Sequence, residues 1–570
     1  MPYYPVLERP KHFSPYFLMK KHLKKALLLS CLSVLVFSIF SFEQPRERYF
    51  EIAKNLDIFA TLFKEVNTYY VDEVNPGRLI KVGIDAMLES LDPYTNYIPE
   101  DEIEDFRTMT TGQYGGIGAV IGRRKDAPVI LMPYLGWPAE KAGLKIGDEI
   151  LDIDGVNVKE KSTSDISKLL KGQYNTTVKV TIRRFGTEKP FQVELIREKI
   201  KIDAVPYYGM ITDKVGYFQL TDFTSAASKE VKKALMALKE KGAQSAIFDL
   251  RDNPGGLLSE AINISNLFIP KQSPVVSTRG KVEEWNKTYT ALNAPFDTEI
   301  PIVVLTSDRS ASASEIVAGV LQDYDRAVVV GEKSYGKGLV QATRPLSYNS
   351  QVKITTAKYY TPSGRCIQAI DYSQRNEEGD VTKIPDSLRS EFKTKNGRKV
   401  FDGGGITPDI KVDDVKLSPI TISLIQKGLI FDFATEFAFK HKTIKSAKEF
   451  KLSDAEYLVF VEWLKDKDYD YITKVESTID DLISNAKSEK YFDAIKSQIE
   501  ELKVNMSHNK EKDLITFRSE IIDQLEEEIA SRYYFQHGKI EASFDNDADI
   551  QAAMNVLTDP IKLKSILSGK

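Results

Sequence analysis

The chain has 570 residues, 42% hydrophobic and 28% charged, the mix of a folded protein of about two to four domains. Lys plus Arg number 78 against 82 for Asp plus Glu, a net charge of -4. That balance argues against nucleic acid as the main ligand, because phosphate binding needs a basic excess. The five histidines are His12, His22, His441, His508 and His537, so none falls between residues 23 and 440. A Ser-His-Asp triad or a His-ligated zinc is thereby excluded from that stretch. The two cysteines, Cys31 and Cys366, are too few for a Cys-rich metal site, and no metal or organic cofactor is implied.

Lys20, Lys21, Lys24 and Lys25 precede an uncharged apolar run from Ala26 to Phe42, and the next charge is Glu43. A basic flank followed by such a run reads as an export signal, with Met19 a candidate start. The run is near the lower limit for a membrane span, and its best cleavage site is only Val36-Phe37-Ser38, so an uncleaved anchor stands beside a cleaved signal. Either reading places the remaining chain outside the cytoplasm, in the periplasm or cell envelope.

Residues 43–108 read as mostly helical, with Ile52, Leu56, Phe59, Leu62, Phe63 and Val66 at helical spacing; Leu91-Asp-Pro-Tyr-Thr then breaks the pattern as a turn. Residues 109–198 become β-rich. Gly115-Gly-Ile-Gly leads short strands, followed by Pro138-Ala-Glu-Lys-Ala-Gly-Leu-Lys-Ile-Gly-Asp and Ile150-Leu-Asp-Ile-Asp-Gly. This segment resembles a PDZ domain over its full length. Such a domain takes an extended peptide as an added strand and holds its terminal carboxylate in a backbone nest, a conformation that glycine makes cheap. Gly115, Gly116, Ile117 and Gly118 are the matching loop.

Residues 199–415 alternate strands and helices as α/β folds do. Strands are expected at Val215–Leu220, Ala246–Leu250, Ile302–Thr306 and Ala327–Val330, with helices at Ala226–Lys241, 257–268 and from the serine-rich turn to about Leu321. Residues 416–570 show three apolar helix faces: Ile472 to Ala486, Phe492 to Met506 and Leu514 to Ile529. They predict a helical bundle with charged outer faces. The tail histidines have no metal-ligand spacing and read as ordinary surface or packing residues.

The chemistry concentrates in Thr306-Ser-Asp-Arg-Ser-Ala-Ser-Ala-Ser-Glu, after a buried strand and before a helix. A serine there lies in the positive field of a helix N-terminus, although serines also cap helices routinely. A serine nucleophile needs a base, and without histidine lysine is the remaining common choice; it must be neutral, hence desolvated. Lys337 stands between glycines in Tyr335-Gly-Lys-Gly-Leu.

Ser310-Ala-Ser-Ala-Ser-Glu and Gly331-Glu-Lys-Ser-Tyr-Gly-Lys-Gly-Leu-Val-Gln together resemble the carboxy-terminal processing, or tail-specific, proteases. Asp249-Leu-Arg-Asp-Asn-Pro-Gly-Gly, Tyr359-Tyr-Thr-Pro-Ser-Gly-Arg, Gly405-Ile-Thr-Pro-Asp and Leu91-Asp-Pro-Tyr-Thr extend the match over roughly residues 46–412. The resemblance implies a multidomain α/β protein: an α/β protease core that cleaves with a Ser/Lys dyad, an inserted β-rich PDZ domain and here a C-terminal α-helical region. It selects Ser312, the middle serine, as nucleophile and Lys337, 25 residues on, as base; Gln341 is the glutamine that orients the lysine. The residues alone do not rank the three serines. Backbone N–H groups of Ala313 and of Gly255 or Gly256, with Gly256 favoured, are expected to form the oxyanion hole. Protein substrates with accessible C-terminal tails are the implied partners. The helical tail is read first as a means of self-association, ahead of adaptor docking or caging of the site. Two competing readings are a catalytically degenerate PDZ peptide-binding scaffold and a hydrolase whose serine borrows a tail histidine.

Overall fold

The computed structural model describes Met1 and residues 44–376, 380–413, 416–506 and 510–569. The export segment, Cys31 and His508 lie outside the described residues. The N-terminal unit contains the helix Gln44–Tyr69 and a second helix beginning at Pro76. Its helical content matches the periodicity, but the periodic apolar face is not buried in the single chain: Ile52, Leu56, Phe59 and Leu62 are all exposed. No helix among the described residues is long and apolar enough to cross a membrane.

The remainder is an α/β core with a β-rich insertion. In the insertion, antiparallel strands run in the order Ala119–Arg124, Ala127–Pro133, Glu149–Ile153, Thr177–Arg183, Phe191–Ile196, with the short strand Val156–Asn157 paired to Glu149–Ile153. Val178, Val180 and Ile182 face inward by period-two alternation, and a register shift between Ile150 and Asp152 brings Ile150 and Ile153 onto the same core with Ile130. Ala119–Arg124 is an edge strand, open on one side, as a PDZ peptide site needs. Gln113–Gly116 pairs with Glu198–Lys201 and closes the neck of the insertion.

The core sheet has the order Tyr207–Met210, Val215–Gln219, Ser245–Asp249, Ile302–Thr306, Ala327–Gly331, Ile410–Lys411; the first pair is antiparallel and the rest are parallel. Its central strands read as unbroken apolar runs because both faces are covered. The helices Ala227–Glu240, Leu258–Asn266 and Ala313–Asp323 cover one face. Phe544, Ile550, Ala553, Val556 and Leu557 cover the other against Ile247, Val303, Leu305, Val328 and Val330. The end of the C-terminal helical region is therefore also a layer of the α/β core. A second, antiparallel sheet centres on Gln351–Tyr360, which pairs with Asn96–Ile98, Pro274–Gly280 and Leu339–Pro345.

Of the three apolar faces expected in the tail, only the last is fully a core. Leu514, Ile521, Leu525 and Ile529 are buried with Phe433, Phe437 and Phe460. In Lys474–Ser488 and Phe492–Met506 only Ile479, Ala486 and Ile499 are buried, while Val475, Leu482 and Leu502 stay exposed. The helix Leu429–Lys440 also holds the PDZ insertion. Arg124 donates to Gly428 O and to Asp432 Oδ1 (2.9 Å), and its guanidinium lies 4.3 Å from the Phe431 ring centre. Arg532 lies 4.2 Å from the same ring.

Because the tail seals the sheet, Ile550→Ala is expected to cost about 2–5 kcal/mol in urea unfolding. A chain ending at residue 415 is expected not to fold. A soluble, cooperatively unfolding chain of that length contradicts the assignment.

Candidate active site

The strand Ile302–Thr306 delivers the serine turn to the N-terminus of the helix Ala313–Asp323. The turn separates its three serines by what their hydroxyls do. Ser310 Oγ donates to Leu250 O (2.8 Å) and accepts from Ser307 N (2.9 Å), and Ser314 Oγ donates to Asn253 O (2.9 Å). Both are fully buried. Ser312 is partly exposed and is the N-cap of the helix; its hydroxyl proton goes to no acceptor among the described residues. Its φ of 56° and ψ of -111° are strained for a residue with a Cβ, the sort of conformation retained where it positions a reacting atom.

Glu315, three residues on, is completely buried and accepts four hydrogen bonds. The donors are Ser312 N (2.8 Å), Lys337 N (2.9 Å), Gly336 N (2.7 Å) and Ser334 Oγ (2.6 Å). Burial pushes its carboxyl up from the usual range, and the four donors oppose that shift. The buried Tyr359 hydroxyl lies 3.0 Å from Ser312 O and 2.8 Å from Lys337 O and donates between them. The backbones of Ser312 and Lys337 are thus fixed to each other twice, on N–H and on C=O.

The Lys337 amine lies 4.3 Å from the Tyr94 ring centre. It is lowered to about 8, first by desolvation and then by the Lys353 charge, with Glu315 and Asp92 opposing. No hydrogen bond joins it to Ser312 Oγ or Gln341 among the described residues. Gln341 Nε2 instead donates to Thr355 Oγ1 (3.2 Å). The structure therefore brings serine and lysine together by backbone and leaves the amine parked beside them.

Asn253 organises the glycine turn. It donates from Nδ2 to Leu220 O (2.7 Å), its carbonyl accepts from Ala311 N (2.9 Å), and its Oδ1 accepts from Gly255 N (2.9 Å). A Cβ on Gly255 would lie 2.8 Å from Ala313 N and 2.9 Å from Ser312 Cβ, so only glycine fits against the serine. The Gly255 N–H is committed to Asn253, whereas the Gly256 N–H has no acceptor among the described residues. Arg251 anchors the same turn: it is bound by Asp249 (2.6 Å) and by two tail carboxylates, Asp547 (2.8 Å) and Asp549 (3.0 Å).

Of the PDZ loop, Gly115 and Gly116 are engaged in the neck pairing and the Ile117 side chain is buried. Ile117 O and Gly118 O accept from Ala139 N (2.8 Å) and Tyr134 N (2.9 Å). The segment leads directly into the open edge strand. His441 Nδ1 and His537 Nε2 each lie 3.0 Å from a backbone carbonyl, Phe437 O and Pro206 O, and neither contacts the serine turn. No His/Cys/Asp/Glu group suited to a metal ion occurs among the described residues.

Glu315, Tyr359, Tyr94 and Thr355 were not assigned roles from the sequence. Only Glu315 carried a signal, the Ser-x-x-Glu spacing of a capping box. Tyr359 and Tyr94 lay inside quoted motifs whose side-chain roles need the tertiary structure.

A PDZ-like insertion and a mostly parallel core thus frame a strained, partly exposed serine and a desolvated lysine. Residues 214–374 match the model of Peptidase family S41, residues 133–184 that of a PDZ domain, and residues 420–557 that described as "Probable PDZ-protease, C-terminal helical domain". The carboxy-terminal-processing protease of Bartonella bacilliformis is 35% identical over 380 residues, covering 64% of this chain and 87% of the relative. A CtpA-like serine protease of Staphylococcus aureus is 34% identical over 385 residues, covering 67% and 75%. Among solved structures, the photosystem II D1 C-terminal processing protease is similar at 26% identity and TM-score 0.33, covering 62% and 92%. The chain belongs to the carboxy-terminal-processing protease family.

Glu315→Ala leaves two backbone N–H groups, a third at Gly336 and a hydroxyl buried without an acceptor. The expected loss is about 3–5 kcal/mol in denaturant unfolding. A loss below about 1 kcal/mol means that the carboxylate does not hold the two loops together.

Proposed function

We propose that this protein is an exported endopeptidase of the cell envelope that engages substrate C-terminal tails through its PDZ domain and cleaves with a Ser312–Lys337 dyad. The observation that carries the reading is the double backbone tie between a serine whose hydroxyl proton is unused and a lysine brought to about 8 by burial. Neutral Lys337 takes the Ser312 proton as Oγ attacks the peptide carbonyl. The oxyanion develops toward Ala313 N–H, at the start of a helix, and Gly256 N–H. Protonated Lys337 then gives its proton to the leaving amine, and water releases the acyl group. The amine has to swing off Tyr94 to reach Ser312. In this reading Gln341, two residues along the strand that begins at Leu339, turns from Thr355 to receive and orient it.

The open edge strand Ala119–Arg124 supports tail recognition; the Gly118 and Ala119 N–H groups, which face the Tyr114 hydroxyl, would take a terminal carboxylate in its place. Export follows from the basic-flanked run ending at Phe42, which leaves a membrane anchor as one form of the mature protein. Self-association through the exposed apolar faces of Gln44–Tyr69 and Lys474–Ser488 is the accompanying reading of the helical parts.

Ser312→Ala and Lys337→Ala are each expected to lower kcat for a peptide substrate by about 10³-fold or more, with folding retained. The sign of the pH dependence follows from the base. The amine works when neutral, so kcat/KM rises through pH about 8 and levels off above it. Undiminished cleavage by Ser312→Ala, or a profile that falls as pH rises through 8, contradicts the mechanism.

A further inference from the structure

Tyr94 lies outside both the serine turn and the lysine loop, yet its ring is the group the Lys337 amine touches. We propose that Tyr94 is a positioning residue for Lys337: its ring face seats the amine in the resting enzyme and, while it is seated there, supports its ammonium form. The proposal rests on the Ser312–Lys337 reading given above.

The ring is held in place by more than its contact with the lysine. Asp92, almost fully buried, accepts the N–H groups of Tyr94 (2.8 Å) and Thr95 (2.9 Å) at Oδ1, and the Thr95 hydroxyl (3.0 Å) at Oδ2. Pro93 fixes the backbone between them. Thr95 Oγ1 in turn accepts from Thr355 N (3.1 Å), and Asn96–Ile98 pairs with Gln351–Lys353. Thr355 is also the residue that holds Gln341, so one short turn sets both the seat and its neighbour. The far edge of the ring is fixed by phenols. Tyr94 Oη donates to Tyr335 Oη (3.2 Å) and accepts from Tyr372 Oη (3.4 Å), and the Tyr372 ring meets it edge-on at 6.0 Å.

A ring face suits a lysine that must work as a base. It excludes water and attracts a cation through its quadrupole, but only weakly. A carboxylate at the same place would hold the ammonium firmly and remove the base. The other groups acting on the amine come from three elements. Lys353, on the strand Gln351–Tyr360, repels the ammonium; Glu315 on the serine helix and Asp92 on the turn favour it. The phenols Tyr335 and Tyr372 face the ring edge rather than the amine.

The test measures the amine both with and without catalysis. In the full chain carrying Ser312→Ala, the reactivity of Lys337 toward acetic anhydride is followed from pH 6 to 10 by peptide mass spectrometry, in the parent, Tyr94→Phe and Tyr94→Leu. In parallel, kcat/KM is measured against pH with Ser312 intact. Phe keeps the ring face and is expected to leave the labelling midpoint unchanged. Leu keeps an apolar wall without the quadrupole, so the ammonium loses support and the midpoint falls by about 0.4 to 1.5 pH units. The acidic limb of kcat/KM is expected to move down by the same amount, with a lower plateau. Tyr94→Met substitutes for Leu if that variant does not fold. A midpoint unchanged in Leu overturns the proposal, as does an equal shift in Phe, which would assign the effect to the phenol chain. A midpoint that moves without the kcat/KM limb supports the seat and overturns the dyad reading.

Discussion

A single buried carboxylate organises the catalytic region. Glu315 has no access to solvent, so its charge is tolerated only because four donors converge on it. Those donors come from two separate loops, one carrying Ser312 and one carrying Lys337. Satisfying the carboxylate therefore forces the loops together, and the Tyr359 hydroxyl repeats the connection on the carbonyl side. The left-handed backbone at Ser312 is expensive on its own and persists because these bonds over-determine it. The backbones of Ser312 and Lys337 are thus held in register by the fold itself.

The second constraint is the cover on the parallel sheet. Strands as apolar as Ile302–Thr306 and Ala327–Gly331 cannot leave a face in water, and the end of the chain supplies the missing layer. The same segment supplies Asp547 and Asp549 to Arg251, four residues before Gly255. The C-terminal region therefore seals the core and braces the turn beside Ser312. Through Leu429–Lys440 it also grips the PDZ insertion by Arg124, so the insertion, the helical region and the core share one continuous set of contacts.

Much of this was legible in the sequence for identifiable reasons. The core strands and helices follow from long, one-period patterns, and Ala227–Glu240 and Ile302–Thr306 fall within a residue of expectation. The β-rich character of the PDZ segment follows from its turn glycines and from alternation such as that of Thr177–Arg183. The choice of Ser312 over Ser310 and Ser314 needed the family motif, because all three sit at plausible capping positions; the structure supplies the physical difference in their hydrogen bonds. The role of Tyr94 was hidden because its lysine lies more than two hundred residues away. That the end of the tail would cover the parallel sheet was not legible, because periodicity reports that a helix has an apolar face, not which surface will cover it. The same limit explains why Ile52, Leu56 and Leu482, periodic in sequence, are exposed in the single chain.

The central claim is that Ser312 alone is activated, and that Lys337 activates it. Labelling of the full chain with a serine-reactive fluorophosphonate, with the site identified by peptide mass spectrometry and the rate followed from pH 6 to 10, tests this directly. The account predicts modification at Ser312 only, at a rate that rises through pH about 8 and is lost in Lys337→Ala. Modification at Ser310 or Ser314, or a rate at Ser312 indifferent to pH and to the loss of Lys337, would contradict it.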